Sequence, residues 1–223
     1  MSGHSVKPIV YVVDDDPAIL RALSRLLTLT GHAVQTFASA TDFLAQHQPA
    51  NRGCVVADLR MPGPSGLDLQ SALVRSGNPL PVVFLTGHGD IPTSVHAMKG
   101  GAEDFLTKPP RKEELLAAVA RALARDAAAA EKQAHHRELH QRFELLTPRE
   151  REVLTQVIAG KLNKEIAADL GAAEGTIKAH RASIMDKLWA HSPAELGRIT
   201  QELGSFSART DNRPPAAPPQ QSI

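Results

Sequence analysis

Between residues 6 and 124 the chain alternates two periods, and that alternation leaves it few folds to choose from. Short β-branched runs occur at Ile9–Val13, Val34–Phe37, Cys54–Asp58, Val82–Leu85 and Asp104–Leu106. Helical repeats lie between them. Ile19, Leu20, Leu23, Leu26 and Leu27 recur at helical spacing behind Pro17, suited to a first turn, and Asp16, suited to its cap. Phe43 and Leu44 mark a second helix, and Leu67, Leu69, Leu73 and Val74 a third. Val95 and Met98 mark a fourth, and Leu115, Leu116, Val119 and Leu123 a fifth. Five such units predict an α/β fold, a doubly wound five-stranded parallel sheet with helices on both faces. Strands buried on both faces read as continuous apolar runs, as Val82-Val83-Phe84-Leu85 does.

Several of these runs end on charge. Asp14, Asp15 and Asp16 close the first, Asp58 closes the third, and Lys108 follows the last and precedes Pro109. Neighbouring parallel strands bring such ends to one edge, where open α/β sheets bind ligands. Carboxylates clustered there must hold a cation or titrate abnormally. Mg2+ prefers few carboxylates, several waters and phosphate oxygens. A Mg2+ shared by Asp15 and Asp58, with Asp14 beside it, therefore suits a site that receives a phosphoryl group. Asp58 would attack phosphorus and become an acyl phosphate. The metal would offset the repulsion of the incoming oxygens, and Lys108 would pair with one of them as a point charge. Thr86, before Gly87, can bring its hydroxyl to the same edge. Singly, these residues have plainer readings, such as a helix cap with solvated charges at Asp14–Asp16. Their common register at successive strand ends favours the phosphoacceptor.

A formal charge of +1 provides no global field that would select nucleic acid or an anionic membrane. The single cysteine, Cys54, excludes an internal disulfide, fits a reducing compartment and sits in an apolar run as a core residue. The N-terminus lacks the apolar stretch of a secretory signal, and no run approaches the ~20 apolar residues of a spanning helix. A cytoplasmic protein without membrane contact is expected. Between Pro110 and Phe143 there is no glycine or further proline, and Ala, Glu, Arg and Gln abound. The fifth helix is expected to run on as a linker helix over 125–144 that pairs with a second copy; a flexible, partly helical linker is the alternative. His136 and His140 share a helix face there, next to His135, and could ligate a metal. No nearby carboxylate or Cys motif completes a site, so a solvated histidine face is the preferred reading.

A second unit spans 145–203. Thr147-Pro148-Arg149-Glu150 reads as cap, first-turn proline and capping-box acid, followed by Val153, Leu154, Val157 and Ile158 and closed by Gly160. Asn163 is expected to cap a helix through Ile166, Ala167 and Leu170, ended by Gly171. A third helix runs from about Glu174 to Leu188, and a last one from Pro193 to Leu203. Two short helices around Gly171 form a helix-turn-helix pattern in a small all-α domain. Residues 204–223 carry almost no large apolar side chain and are expected to be disordered.

Val12-Val13-Asp14-Asp15-Asp16, Asp58-Leu59-Arg60-Met61-Pro62-Gly63, Phe84-Leu85-Thr86-Gly87-His88-Gly89-Asp90 and Asp104-Phe105-Leu106-Thr107-Lys108-Pro109 resemble the flavodoxin-like receiver domains of response regulators. Leu146 to Leu154, Asn163-Lys164-Glu165-Ile166-Ala167 and Gly175 to Arg181 resemble the LuxR-type helix-turn-helix. Together they resemble the NarL/FixJ family, with Thr86-Gly87-His88-Gly89-Asp90 closest to the FixJ branch. The resemblance implies a receiver over 6–124, a linker over 125–144 and a DNA-binding domain over 145–203. It implies that Asp58 takes phosphate from a sensor histidine kinase, and that Asp14, Asp15, Asp58 and the Arg60 backbone carbonyl bind Mg2+. Thr86 and Lys108 would contact the phosphoryl group, Phe105 would be the switch aromatic, and Lys108–Pro109 the bond often cis in receivers. Plain core packing is the other reading of Phe105.

In the DNA-binding domain the resemblance assigns Lys178, Ala179 and Ala182 to bases. It assigns Asn163, Lys164, Thr176, His180 and Arg181 to phosphates or to supporting the turn. Double-stranded DNA, a homodimer formed on phosphorylation and RNA polymerase are the implied partners. Residues 145–203 hold eight Lys/Arg and eight Asp/Glu, so DNA affinity must come from local clustering. Trp189 stands where the family often has a small or polar residue, and is read as packing on the last helix or as a dimer contact. Such a protein is a transcription regulator and not an enzyme, with at most slow self-dephosphorylation. A Mg2+-dependent phosphohydrolase would leave the helix-turn-helix unexplained, and Arg60 stands where its general acid would be. A DNA-binding protein with an inert receiver would waste a complete set of site residues.

Overall fold

The computed structural model describes residues 7–48, 51–77, 80–87 and 101–210, the last six by backbone only. The chain divides into two compact units, Met1–Glu131 and Lys132–Ile223. In the first, strands β1 (Ile9–Val13), β2 (Ala33–Phe37), β3 (Gly53–Asp58), β4 (Val82–Thr86) and β5 (Asp104–Thr107) pair in parallel, in the order β2-β1-β3-β4-β5. Helices α1 (Pro17–Leu29), α2 (Ala40–Gln46), α3 (Gly66–Arg75) and α4 (Lys112–Glu144) follow β1, β2, β3 and β5. The fourth helix expected around Val95 and Met98 lies outside the described residues.

Strand alternation sends side chains to two cores. Tyr11, Val13, Val55, Ala57 and Phe84 meet Phe43, Leu69 and Leu73 of α2 and α3 on one face. On the other, Val10, Val12, Val56, Val83 and Leu85 meet Leu23 and Leu27 of α1 and Leu115 and Val119 of α4. The sheet is therefore the doubly wound one its apolar runs predict. Cys54 lies in the second core, where burial pushes its thiol up to about 12. Local signals start the helices. The Asp16 carboxylate accepts from the Ala18 N–H at 2.7 Å, with Pro17 opening α1, and Ser65 with Asp68 forms a capping box at α3.

The opposite edge of the sheet is closed by a contact that the sequence did not announce. Asp126, in the segment expected as linker, is buried and accepts from Arg52 Nε at 2.9 Å and from the Gly53 N–H at 3.0 Å. Gly53 has φ +142°, and a Cβ there would stand 1.8 Å from the Ile9 carbonyl oxygen. Only glycine lets β3 pass so close to β1.

The second unit holds α5 (Pro148–Ile158), α6 (Asn163–Leu170), α7 (Glu174–Leu188) and α8 (Pro193–Thr210). Val153, Leu154, Ile166, Ile177, Ile184, Leu188 and Leu196 form its core together with Leu139 from the end of α4. Thr147 and Glu150 make the expected capping box at α5. Asn163 does not cap α6. It is the first helical residue, and the Leu162 N–H is satisfied instead by Glu165 at 2.8 Å. The Asn163 side-chain oxygen Oδ1 accepts from the Arg181 guanidinium at 2.9 Å, which draws it away from the cap. α8 runs to Thr210, past the expected end at Leu203, and residues 211–223 of the expected tail lie outside the described residues.

Candidate functional site: an acidic strand edge and a helix-turn-helix

Register assembles the first site. Val13 pairs with Ala57, so Asp14 and Asp58 are neighbours just past the ends of β1 and β3. Asp58 pairs with Leu85 and Thr86 with Thr107, which brings Thr86 and Lys108 to the same edge. Gly66 permits α3 to start against it, since a Cβ there would lie 2.5 Å from the Asp58 carbonyl oxygen.

Four of the expected side chains converge. Lys108 Nζ lies 2.6 Å from Asp14 Oδ2 and 2.8 Å from Asp58 Oδ2. Asp14, Asp15 and Asp58 each offer an oxygen within 4.8 Å of the others, the one such group of three among the described residues. Asp14 and Asp58 are buried and Asp15 is exposed, so the cluster opens to solvent on one side. The Asp16 N–H donates to Asp14 Oδ1 at 2.9 Å and the Arg60 N–H to Asp58 Oδ1 at 3.2 Å. Thr86 is buried, but its hydroxyl donates to the Gly87 carbonyl at 2.8 Å and not to the carboxylates. Phe105 is half-buried, with its ring 6.2 Å from that of Phe84 on the α2–α3 core. The Lys108–Pro109 bond is cis.

Burial pushes the Asp14 carboxyl above its ordinary value; Lys108 and the Asp16 N–H pull it back without cancelling that, and the Asp58 charge adds to it. For Lys108 burial acts the other way, yet hydrogen bonds to Asp14 and Asp58 outweigh it and raise the ammonium. The lysine therefore stays charged between two carboxylates. Three hard oxygen donors around a solvent-open corner fit Mg2+, which keeps several waters. The Asp58 carboxylate is held by the backbone of its own loop.

The second site is a helix pair. α6 ends on Gly171 at φ +61°, and α7 starts three residues later. Ile177, Ile184 and Leu188 bury one side of α7, which leaves Thr176, Lys178, Ala179 and Ala182 exposed on the other. His180 and Arg181 are half-buried flanks, and Lys164 is exposed near the start of α6. The Arg181–Asn163 bond ties α7 to α6, and Arg149 bonds the Leu170 carbonyl at the end of α6. Sequence reasoning missed Glu150 as more than a cap. It also accepts from Ser183 Oγ at 2.7 Å and from Lys187 Nζ at 2.7 and 2.9 Å, which fixes the rotation of α7. Only the i, i+4 spacing of Ser183 and Lys187 hinted at this. Trp189 is not buried in the core of the unit. It is exposed at φ +54°, and the Arg142 guanidinium lies 3.4 Å from its ring centroid.

Comparison with known proteins finds a family for each unit. Residues 10–120 match the response regulator receiver domain, and residues 144–200 match the luxR family of bacterial regulatory proteins. The chain is 45% identical over 212 residues to Nodulation protein W of Bradyrhizobium diazoefficiens, covering 94% of this chain and 93% of the relative. It is 43% identical over 195 residues to the transcriptional regulatory protein FixJ of Azorhizobium caulinodans, covering 87% and 92%. This chain is a response regulator of the NarL/FixJ family. The solved response regulator StyR is 44% identical, covers 88% of this regulator and 99% of its own chain, and superposes with a TM-score of 0.81. The regulator is thus a two-component transcriptional regulator and not a catalytic enzyme. A receiver implies a sensor kinase and a LuxR-type domain implies DNA binding. No helix among the described residues is long and apolar enough to cross a membrane.

Proposed function

We propose that Asp58 is the phosphoacceptor of a cytoplasmic switch, and that its phosphorylation drives dimerisation and sequence-specific DNA binding. The observation carrying this is the meeting of Asp14, Asp15, Asp58 and Lys108 at one strand edge. An Asp58 carboxylate oxygen attacks the phosphorus of the kinase phosphohistidine. A phosphorus–oxygen bond forms as the phosphorus–nitrogen bond breaks, which leaves an acyl phosphate. Asp14, Asp15, Asp58 and the Arg60 carbonyl would hold Mg2+. When bound, it offsets repulsion between Asp58 and the incoming oxygens.

Phosphorylation adds charge and acceptor oxygens beside Lys108, whose ammonium turns from the carboxylates to one of them. The Thr86 hydroxyl exchanges the Gly87 carbonyl for another, and Phe105 turns into the space it leaves. The face of β5 and the first turns of α4 then changes shape and pairs with a second copy. In the DNA-binding domain, Lys178, Ala179 and Ala182 face bases. Lys164, Thr176 and His180 hold phosphates, and Asn163 with Arg181 supports the turn. A dimer reading two half-sites is the matching geometry, with RNA polymerase contacted from the bound dimer.

The test uses the full chain with Mg2+ and beryllofluoride, a phosphoryl mimic. Wild type should pass from monomer to dimer by light scattering, and Asp58→Asn should not. Phosphate uptake by Asp58→Asn at the wild-type rate would overturn the assignment. Equal DNA affinity with and without a phosphoryl donor would point instead to an inert receiver.

A further inference from the structure

Trp189 is at odds with its own backbone. It follows α7 in the left-handed region, at φ +54° and ψ +39°, the one non-glycine residue at positive φ among the described residues. That conformation is strained for a bulky side chain, and at a helix end it is ordinarily taken by glycine. Burial of the ring does not offset the strain, since Trp189 is 64% exposed. What the indole gains is a flat face against α4. The Arg142 guanidinium carbon lies 3.4 Å from the ring centroid, well inside the ~6 Å of a cation–π contact. The core of the second unit fixes both partners. Leu188 and Ala190, on either side of Trp189, are buried there, and so is Leu139, three residues before Arg142. Glu138, one turn back on α4, accepts from Arg142 at 2.6 Å. A strained residue over-determined by its surroundings points to a role that the strain serves.

We propose that Trp189 is a positioning residue for DNA reading: its ring, set against Arg142, fixes the C-terminal end of α7 to the last turn of α4. This rests on the reading that the exposed face of α7 meets DNA. Elsewhere α7 is tied to α6 by Arg181 and Asn163, and to α5 by the bonds of Ser183 and Lys187 to Glu150. Neither tie involves α4. The Arg142–Trp189 pair therefore gives the helix that carries Lys178, Ala179 and Ala182 a direct link to the linker helix. Ala182 is seven residues from Trp189, about 10 Å along the helix axis. A tilt released at that end moves the base-facing side chains. Base contacts need fixed geometry, whereas a lysine on its flexible stem follows a displaced phosphate. The pair thus acts on sequence selectivity more than on affinity for DNA in general.

The test uses the full-length chain with Mg2+ and beryllofluoride to select an operator from random duplexes, then titrates each variant with that operator and with an unselected duplex. Trp189→Gly should bind the operator about ten-fold more weakly, the size of one lost base contact, and the unselected duplex as wild type does. Its Tm should not fall, because glycine takes the left-handed φ freely. Weaker reading without weaker folding separates positioning from a merely structural role. Arg142→Met should show the same loss, and Arg142→Lys should regain part of it by keeping a cation at the ring. Glu138→Gln should bind as wild type does. Trp189→Gly and Arg142→Met together should lose no more than either alone. Trp189 is the one tryptophan of the chain, so its fluorescence reports the pair directly, and Arg142→Met should shift the emission. Wild-type operator affinity in Trp189→Gly, additive losses in the double variant, or unshifted emission in Arg142→Met would each overturn the inference. A wild type that selects no duplex would overturn the DNA-reading face on which it rests.

Discussion

Asp14 and Asp58 share one ammonium, that of Lys108, at 2.6 and 2.8 Å. Removing one partner of a buried ion pair leaves uncompensated charge. Lys108→Met should therefore destabilise the first unit by roughly 3 kcal/mol in urea denaturation. Mg2+ should restore more stability to the variant than to wild type; an equal effect on both would speak against a cation at these carboxylates. Glu150 is the corresponding residue of the second unit. Its burial alone would raise the carboxyl, but Lys187, Ser183 and Thr147 hold it down at about 2. A folded value below the ordinary 4.5 means stability that is present above 4.5 and lost as pH falls through about 2. Because Lys187 is partly exposed, the contribution is discounted to on the order of 2 kcal/mol. Glu150→Gln should remove it and flatten the acid limb of the stability profile between those values. An unchanged limb would show that Glu150 does not hold α7. At this scale the acidic residues and Lys108 were legible in the sequence, because strand ends advertise them. The second role of Glu150 was not, because its partners lie thirty-three and thirty-seven residues away.

Elements show the same division. Pro17 and Thr147 start helices where the sequence says they should, since capping needs only neighbours within three residues. Asn163 has the right chemistry for a cap and fails to be one, because Arg181 of the following helix takes its oxygen. Trp189 takes a partner, Arg142, from α4. Glycines separate local need from tertiary need. Gly31 has φ +91° with open space around it, so Gly31→Ala carries only backbone strain, about 1 kcal/mol. Gly53→Ala adds a Cβ into the Ile9 backbone and should cost on the order of 3 kcal/mol or more, with loss of β1–β3 pairing. Chemical denaturation of the two variants side by side checks this, and equal midpoints would contradict it.

At the scale of the molecule, eight basic and eight acidic residues in 145–203 leave no net field to hold DNA. Affinity must come from where single charges sit. Lys164, proposed to hold a phosphate, should on change to alanine weaken binding to all sequences alike and lower the salt slope by about one per half-site. Lys178→Ala should weaken a selected operator far more than random DNA. The same response from both variants in salt-dependent titrations would reverse the assignment of contacts. By itself the sequence determined the two-period alternation, the helix caps, the acidic strand ends and the helix-turn-helix spacing, because each is written in residues close along the chain. The tertiary structure alone decided that Asp126 binds the start of β3, that Glu150 anchors α7, and that Glu202 arrives beside His135. Those contacts join residues dozens of positions apart, and no local propensity encodes them; packing of the helices onto their cores brings the partners within reach.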